Sequence, residues 1–371
     1  MTSVVAATPT RFQRYLLPGF AFTAVVIGGG YATGRELAEF FLPSGPVGGV
    51  LGMLLSMLCW SVICMVTFLF ARATRSFDYG AFFRELLGPA AFLFDIAYLS
   101  LVVIMLSVFG AAAGEIGHAL FGWPTLVGTL GLVACIALVA AFGNESVERL
   151  FKYVTYFLYA VYAIFVVLAL TRSGDRVLAS FAAPQHPDGW VLGGLTYAGY
   201  NVAGAVAILS VLRHLTSSRD AVIAGLLAGP FGMLPAVLFF ICMTAYYPEI
   251  ASATLPSDFL LGRLGVPLFQ VFFQLMIFAA LLESGTGGVH AVNQRVAGVL
   301  ASRRIELSTT ARLALSAGLL VLAIFVATRF GLVALIARGY RALAWMFIAV
   351  YVIPVLTYGS WRIYRARAAS G

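Results

Sequence analysis

Two stretches of this chain place polar groups inside apolar runs at spacings that could do chemistry. The first is Gly28-Gly29-Gly30-Tyr31-Ala32-Thr33-Gly34-Arg35-Glu36, inside the apolar run from Leu16 to Leu42. Glycines this dense hold a regular helix poorly, at roughly 1 kcal/mol each against Ala. The second is Glu283-Ser284-Gly285-Thr286-Gly287-Gly288, followed by His290, Asn293 and Gln294. An acid, two hydroxyls and a flexible backbone are what a proton or cation site requires. At the centre of a bilayer a charge costs roughly 2.5–3.5 kcal/mol on insertion scales, so each of these residues needs a partner or a task.

The bilayer is implied by composition. Of 371 residues, 61% are hydrophobic and 10% charged, too apolar for a soluble chain of this length. A span needs about 20 apolar residues. Ten runs qualify, at about 16–42, 47–71, 89–121, 125–142, 149–170, 190–212, 219–246, 265–300, 311–328 and 340–361. The expectation is an all-α polytopic membrane protein made of one transmembrane domain, 1–371, with no soluble domain. Spans three and eight are overlong and should tilt or project. The loops 172–189 and 247–264 have room for short surface helices, and 331–339 for a short helix before span ten. Arg11 and Arg14 precede a first run that is Gly-broken and continues into Arg35-Glu36, so it reads as a retained span and not a cleaved signal.

Basic residues set the orientation. With the N-terminus in the cytoplasm, sixteen Arg and Lys residues fall on the inner side and six on the outer. Ten spans then leave both termini cytoplasmic, in the plasma membrane. The net charge of +8 sits in short loops and does not indicate nucleic acid. Cys59, Cys64, Cys135 and Cys242 all lie in apolar runs and show neither metal-ligand spacing nor a disulfide framework. No nucleophile–base pair is apparent, so neither an enzyme nor a metal centre is expected, and the lipid bilayer and a small-molecule substrate are the expected partners.

Span six carries Leu195-Thr196-Tyr197-Ala198-Gly199-Tyr200-Asn201-Val202-Ala203-Gly204, a second Gly-interrupted run with a polar centre. It comes five spans after Gly30-Tyr31-Ala32-Thr33-Gly34, so it enters the membrane from the opposite side. Two broken helices related in this way are the sign of an inverted repeat, here about 16–170 and 190–361. In a bilayer, broken backbone is tolerated only where it is buried in protein or lines a wet cavity. The site is therefore expected where spans one and six meet, with half-helix N-termini turned toward an anionic ligand.

The stretch from Gly28 to Glu36, followed by Phe40-Phe41, resembles the first helix of the YkvI-type bacterial membrane proteins, and the resemblance extends over essentially the whole chain. Those proteins belong to the amino acid–polyamine–organocation superfamily, whose members share the LeuT-like five-plus-five inverted repeat. The resemblance implies a secondary transporter with alternating access; a ligand-gated channel or ligand sensor on the same fold is the alternative. It further implies that span eight faces the first broken helix at a cation site, with Ser284 and Thr286 as hydroxyl ligands and Gly28 and Gly29 supplying carbonyls. The family pattern has Gln where this chain has Arg35, and a fixed cation there weighs against simple sodium symport.

The expected substrate pocket is lined by Gly29, Gly30, Tyr31, Ala32, Thr33, Ser107, Tyr197, Tyr200 and Asn201. These suit a modest, partly apolar molecule with one carboxylate, an amino acid first. Arg35 reads as the carboxylate's partner or the counter-ion of an acidic gate; a structural ion pair with Glu115 or Glu39 is the other reading. Glu36, Glu115 and His118 are candidate gating residues, the last two open also to an interfacial role. Ser107, Ala111, Gly114 and His118 share one helical face, which tight helix packing also explains. Asp95 is expected to pair with a loop arginine. Glu283 is placed to carry a coupling proton or, with Ser284, Thr286 and the carbonyls of Gly28 and Gly29, to hold sodium.

Overall fold

The computed structural model describes residues 9–27, 29–142, 145–184, 186–301 and 305–368. Helix dominates and no strand occurs among them. Among the described residues six helical stretches are long and apolar enough to cross a membrane, and with the shorter and broken helices they follow the ten expected spans in order. Span one is assembled from Phe12–Leu16, Leu17–Val26, Gly29–Ala32 and Arg35–Phe40, and span two is Gly45–Thr74. A short helix, Tyr79–Leu87, leads to span three, Phe92–Phe121. Spans four and five are Thr125–Phe142 and Glu145–Ala182. Span six comprises Trp190–Asn201, Ala203–Ala207 and Leu209–His214. Spans seven, eight and nine are Ser218–Thr244, Pro267–Ala301 and Thr309–Ala334.

The interruptions fall where the glycine-rich stretches lie. Span one leaves the helix at Ile27, with φ −74° and ψ 63°, and restarts after Gly34, whose φ of 74° favours glycine. Thr33 Oγ1 there accepts from the backbone N–H of Arg35 at 3.3 Å. Span six breaks at Val202, where the next backbone bond closes three residues back, from the Ala205 N–H to the Val202 carbonyl. The two broken spans touch along both halves.

Spans two and seven form the tightest pair. A Cβ on Gly225 or Gly229 of span seven would meet the backbone of Met65 or Met57 in span two. Pro230 lies inside span seven and has no N–H for the carbonyl of Leu226; Ser61 Oγ of span two donates to that carbonyl at 2.9 Å. Span six also lies close on span two, where a Cβ on Gly194 would come 2.6 Å from the carbonyl oxygen of Gly52. The small-residue face of span three serves packing as well. Thr129 Oγ1 of span four donates to the Gly110 carbonyl at 2.8 Å, and a Cβ on Gly114 would lie 2.5 Å from the Thr125 carbonyl.

Two boundaries differ from the sequence reading. Span five does not stop at 170; it continues as helix to Ala182, through most of the segment expected to be a loop. Arg172 and Asp175 end the apolar run but not the helix, since neither breaks the hydrogen-bond ladder and Pro184 is the first residue that would. The expected short helix at 331–339 is instead the start of span ten. Gly331, with φ 71°, kinks the chain, and helix then runs on through the wide turns Leu335–Tyr340, Ile348–Val352 and Val355–Gly359 to Ala368. The loop 247–264 does hold two short helices, Glu249–Ser252 and Pro256–Leu264.

The first and last described helices, Phe12–Leu16 and Ser360–Ala368, lie at one end of the bundle, the end meant below as that of the termini. There Arg14 grips Asp220 at 2.7 and 2.8 Å, and Arg72 at the end of span two donates to Ser218 Oγ and the Thr216 carbonyl. Asp220 also completes the capping box of span seven with Ser217.

Candidate functional site

A cavity of about 750 Å³ lies between the broken spans and spans three, five, eight and ten. At its deep end are Ile27 and Glu36 of span one, Tyr200 and Asn201 of span six, and Tyr340 of span ten. One long wall is the face of span three that carries Tyr98, Leu101, Val102, Met105 and Phe109; opposite it, span eight contributes Glu283, Ser284, Gly287 and Gly288. The cavity extends to Phe77, Asp78, Gln294, Arg295 and Gly298, at the end of the bundle that bears the termini. None of Glu39, Phe40, Glu115 or His118, toward the other end, borders it.

Glu36 is the most deeply set acid on these walls. It is 5% exposed, and its Oε2 accepts a hydrogen bond from the Tyr200 phenol at 2.5 Å. Tyr340 stacks on Tyr200 with 4.5 Å between ring centroids. Glu36 was expected to gate; the structure puts it on the wall of the cavity, because Gly34 resets the helix so that consecutive residues Arg35 and Glu36 face different neighbours.

Arg35 turns away from the cavity. One guanidinium nitrogen donates to the carbonyls of Ala251 at 3.1 Å and Ala253 at 2.9 Å, and the other to Glu39 Oε2 at 3.0 Å. Arg35 therefore pairs with neither Glu283 nor Glu115, and of the sequence readings the structural pair with Glu39 is the one present. The carbonyl of Thr33 accepts from the Ser257 N–H at 3.0 Å, so span one and the segment after span seven are tied at two points. None of the residues in this strap borders the cavity.

Of the expected pocket residues, Tyr200 and Asn201 border the cavity. The amide of Asn201 donates back to the Tyr197 carbonyl at 3.1 Å. Tyr31, Ala32, Thr33, Tyr197 and Ser107 are buried but form no part of its wall. Tyr197 is packed among Phe40, Phe41 and Trp60, and Ser107 Oγ donates to the Val103 carbonyl within its own helix. The phenol oxygens of Tyr31 and Tyr197 are buried with no hydrogen-bond partner among the described residues. Gly29 and Gly30 form the short segment between the breaks, and that segment packs on span eight, as expected. Gly28 lies outside the described residues.

Of the expected ion-coupling residues, Glu283 and Ser284 face the cavity, and Glu283 has no hydrogen-bond or ion-pair partner among the described residues. Thr286 Oγ1 donates to the Leu282 carbonyl of its own helix at 2.8 Å and is not on the wall. At the far end from the termini, His118 Nδ1 lies 3.0 Å from the Trp123 carbonyl and is exposed, which is an interfacial, helix-ending role. Glu115 is partly buried in the same region.

Asp95 has an arginine partner, but it comes from the helix of span eight and not from a loop as expected. Arg295 Nε and a terminal nitrogen meet its two carboxylate oxygens at 2.9 and 2.7 Å, and the guanidinium lies 4.6 Å over the Tyr79 ring. This pair joins spans three and eight at the mouth of the cavity. Sequence reading missed Tyr340, Tyr98 and Tyr159 as cavity residues. Tyr98 stands on a face with Leu101, Val102, Met105 and Phe109 at helical spacing, a legible signal. Nothing in the sequence marks Tyr340, which reaches the cavity from the wide turn Leu335–Tyr340.

No family model matches the chain. In sequence it is similar to the uncharacterized membrane protein YkvI of Bacillus subtilis (strain 168), at 24% identity over 288 residues, 75% of this chain and 79% of that protein. In structure it is similar to MhsT in complex with L-phenylalanine, with a TM-score of 0.56 at 16% identity over 98% of this chain and 99% of that one. It is likewise similar to the inward facing conformation of Mhp1, with a TM-score of 0.56 at 15% identity over 93% of this chain and 79% of that one. The chain is a polytopic membrane protein of the LeuT-like fold, with YkvI among its relatives in sequence.

Proposed function

We propose that this chain is a secondary active transporter that moves a small organic solute of amino-acid size by alternating access. The observation that carries this reading is the one-sided cavity. It descends from the end bearing the termini to the meeting point of the two broken helices, and none of the residues of the Arg35 strap borders it. With the termini in the cytoplasm, as the arginine distribution supports, this is the inward-open state. A cavity closed at one end suits a carrier better than a channel, which needs a continuous path. No catalytic residue or cofactor is part of the reading. The structural likeness to MhsT, whose solved complex contains L-phenylalanine, supports a solute of that size.

The coupling ion is proposed to bind in the same cavity, where Glu36 and Glu283 have no basic partner among the described residues and Ser284 offers a hydroxyl. Protein reconstituted in liposomes should take up radiolabelled amino acids or amines saturably, with acceleration by solute on the trans side. Single-channel currents, or flux linear in concentration with no trans effect, would overturn the carrier reading.

A further inference from the structure

The cavity contains a charge imbalance that bears on what it carries. Its walls include three carboxylates, Glu36, Asp78 and Glu283, and, among the described residues, one cation, Arg295. Arg295 is already held by both oxygens of Asp95. Arg35, next in the chain to Glu36, is committed to Glu39 and two loop carbonyls on the far side of span one. An anionic group entering the cavity meets no uncommitted cation among these residues, whereas a cationic group meets Glu36 and Glu283.

Glu36 has the geometry of a receptor for such a group. One of its oxygens is held by Tyr200, and no other hydrogen bond or ion pair reaches the carboxylate among the described residues. Beside it the stacked rings of Tyr200 and Tyr340 present aromatic faces, and Phe109, Tyr98 and Tyr159 continue the aromatic wall. A carboxylate next to several aromatic faces suits an organic ammonium, which gains both a charge-assisted hydrogen bond and cation–π contact.

An ionised carboxylate in so enclosed a place is costly without a cationic partner. The groups that face Glu36 do not supply one. They are Tyr200 of span six, hydrogen-bonded to it, Tyr197 edge-on to Tyr200, and Tyr340 of span ten stacked on Tyr200, none of them a cation. On the packed segment after span seven, Glu249 is paired with Arg263 and Asp258 accepts from Gln270 and Gln274. Among the described residues no cation offsets the charge of Glu36, which leaves that task to an incoming cation or a proton.

Resting on the carrier reading above, we propose that Glu36 binds the ammonium group of an organic amine and takes a proton when the amine leaves, so that the chain exchanges amine for proton. The step balances: the protonated carboxyl and the alkylammonium ion give the carboxylate–alkylammonium pair and one free proton. Glu283, nearer the mouth, draws the cation inward. The proposal replaces the carboxylate-first substrate expected from the sequence.

The test uses full-length purified protein and three probes of one size: 2-phenylethylamine, phenylacetate and L-phenylalanine. The expected result is that 2-phenylethylamine raises the melting temperature and phenylacetate does not. In weakly buffered solution with a pH indicator, binding of the amine should release close to one proton per site. Glu36→Gln should lower amine affinity about thirtyfold or more, as expected for losing one partner of a buried charge pair, and abolish proton release; Glu36→Asp should restore part of both. Should Glu36→Gln fail to fold, Tyr340→Ala provides a second reading, with weaker amine binding but proton release per bound amine unchanged. No stabilisation by the amine, binding without proton release, or phenylacetate binding as tightly as the amine would each overturn the proposal. Saturable, trans-accelerated uptake of L-phenylalanine alongside any of those results would leave the carrier reading standing while the amine exchange falls.

Discussion

The phenol of Tyr200 in span six donates to the carboxylate of Glu36 in span one at 2.5 Å, so the two interrupted helices are joined beside their breaks by one buried hydrogen bond. Tyr200→Phe keeps the ring stacked on Tyr340 and removes only the donor. It should lower unfolding stability by about 1–3 kcal/mol, the usual range when a buried polar group loses its hydrogen-bond partner. In a double-mutant cycle with Glu36→Gln, the coupling energy should be about 0.5–3 kcal/mol. Additive effects within about 0.3 kcal/mol would show that the bond contributes nothing.

Arg35 should act as the latch of the strap. Arg35→Gln forfeits the bonds to Ala251, Ala253 and Glu39 together. Charge-assisted hydrogen bonds of this kind contribute about 1.5–3 kcal/mol, so the variant should populate the state open at the other end more often. A cysteine introduced as Ala253→Cys should react faster with a membrane-impermeant maleimide in the Arg35→Gln background. Equal labelling rates in the two backgrounds would count against a latch.

At the mouth, Asp95 and Arg295 should stabilise the joint between spans three and eight. The pair is part-buried and bidentate, so it should exceed the typical surface pair of about 0–1 kcal/mol. Asp95→Asn and Arg295→Gln should each lower the melting temperature, and the double variant should be little worse than either single one. Raising salt should narrow the gap between wild type and variants only slightly, since partly buried pairs are screened less than exposed ones. Strictly additive losses would remove the pair from the joint.

Packing yields a contrast between two glycines. A Cβ on Gly194 would sit 2.6 Å from the Gly52 carbonyl oxygen, a backbone atom that cannot swing away. Gly194→Ala should therefore cost about 1–3 kcal/mol or more as overpacking. A Cβ on Gly262, in the short helix Pro256–Leu264, would meet nothing within 4 Å. Gly262→Ala should be neutral or gain up to about 1 kcal/mol from helix propensity. Thermal unfolding of the two variants in the same detergent checks both, and equal melting temperatures would contradict the packing described.

Much of the architecture is written locally in the chain. Ten passages follow from the lengths of the apolar runs, because a bilayer demands about 20 apolar residues wherever it is crossed. The breaks in spans one and six follow from Gly28–Gly34 and from the polar centre Tyr197–Asn201, because broken backbone and polar groups in lipid must face protein or water. Asp95 was legible as half of an ion pair because an unpaired acid there would be costly. Where the reading went astray, the property used was the wrong one for the question. Arg172 and Asp175 mark the end of an apolar run, yet the helix of span five passes through them to Ala182.

What tertiary structure alone decided is direction. Arg35 and Glu36 are neighbours in the sequence, yet one is bound to a loop beyond span seven and the other borders the cavity beside Tyr200. Tyr31, Thr33 and Tyr197 looked as well placed for the pocket as Tyr200 and Asn201, but half a turn of helix puts a side chain into packing or into the cavity. Tyr340 arrives from the last span through a wide turn that no residue pattern announces. Local composition determines that a helix breaks and that a polar residue needs a partner. Which partner it finds depends on how ten helices are rotated and tilted against one another, and that is settled only by contacts between residues far apart in the chain.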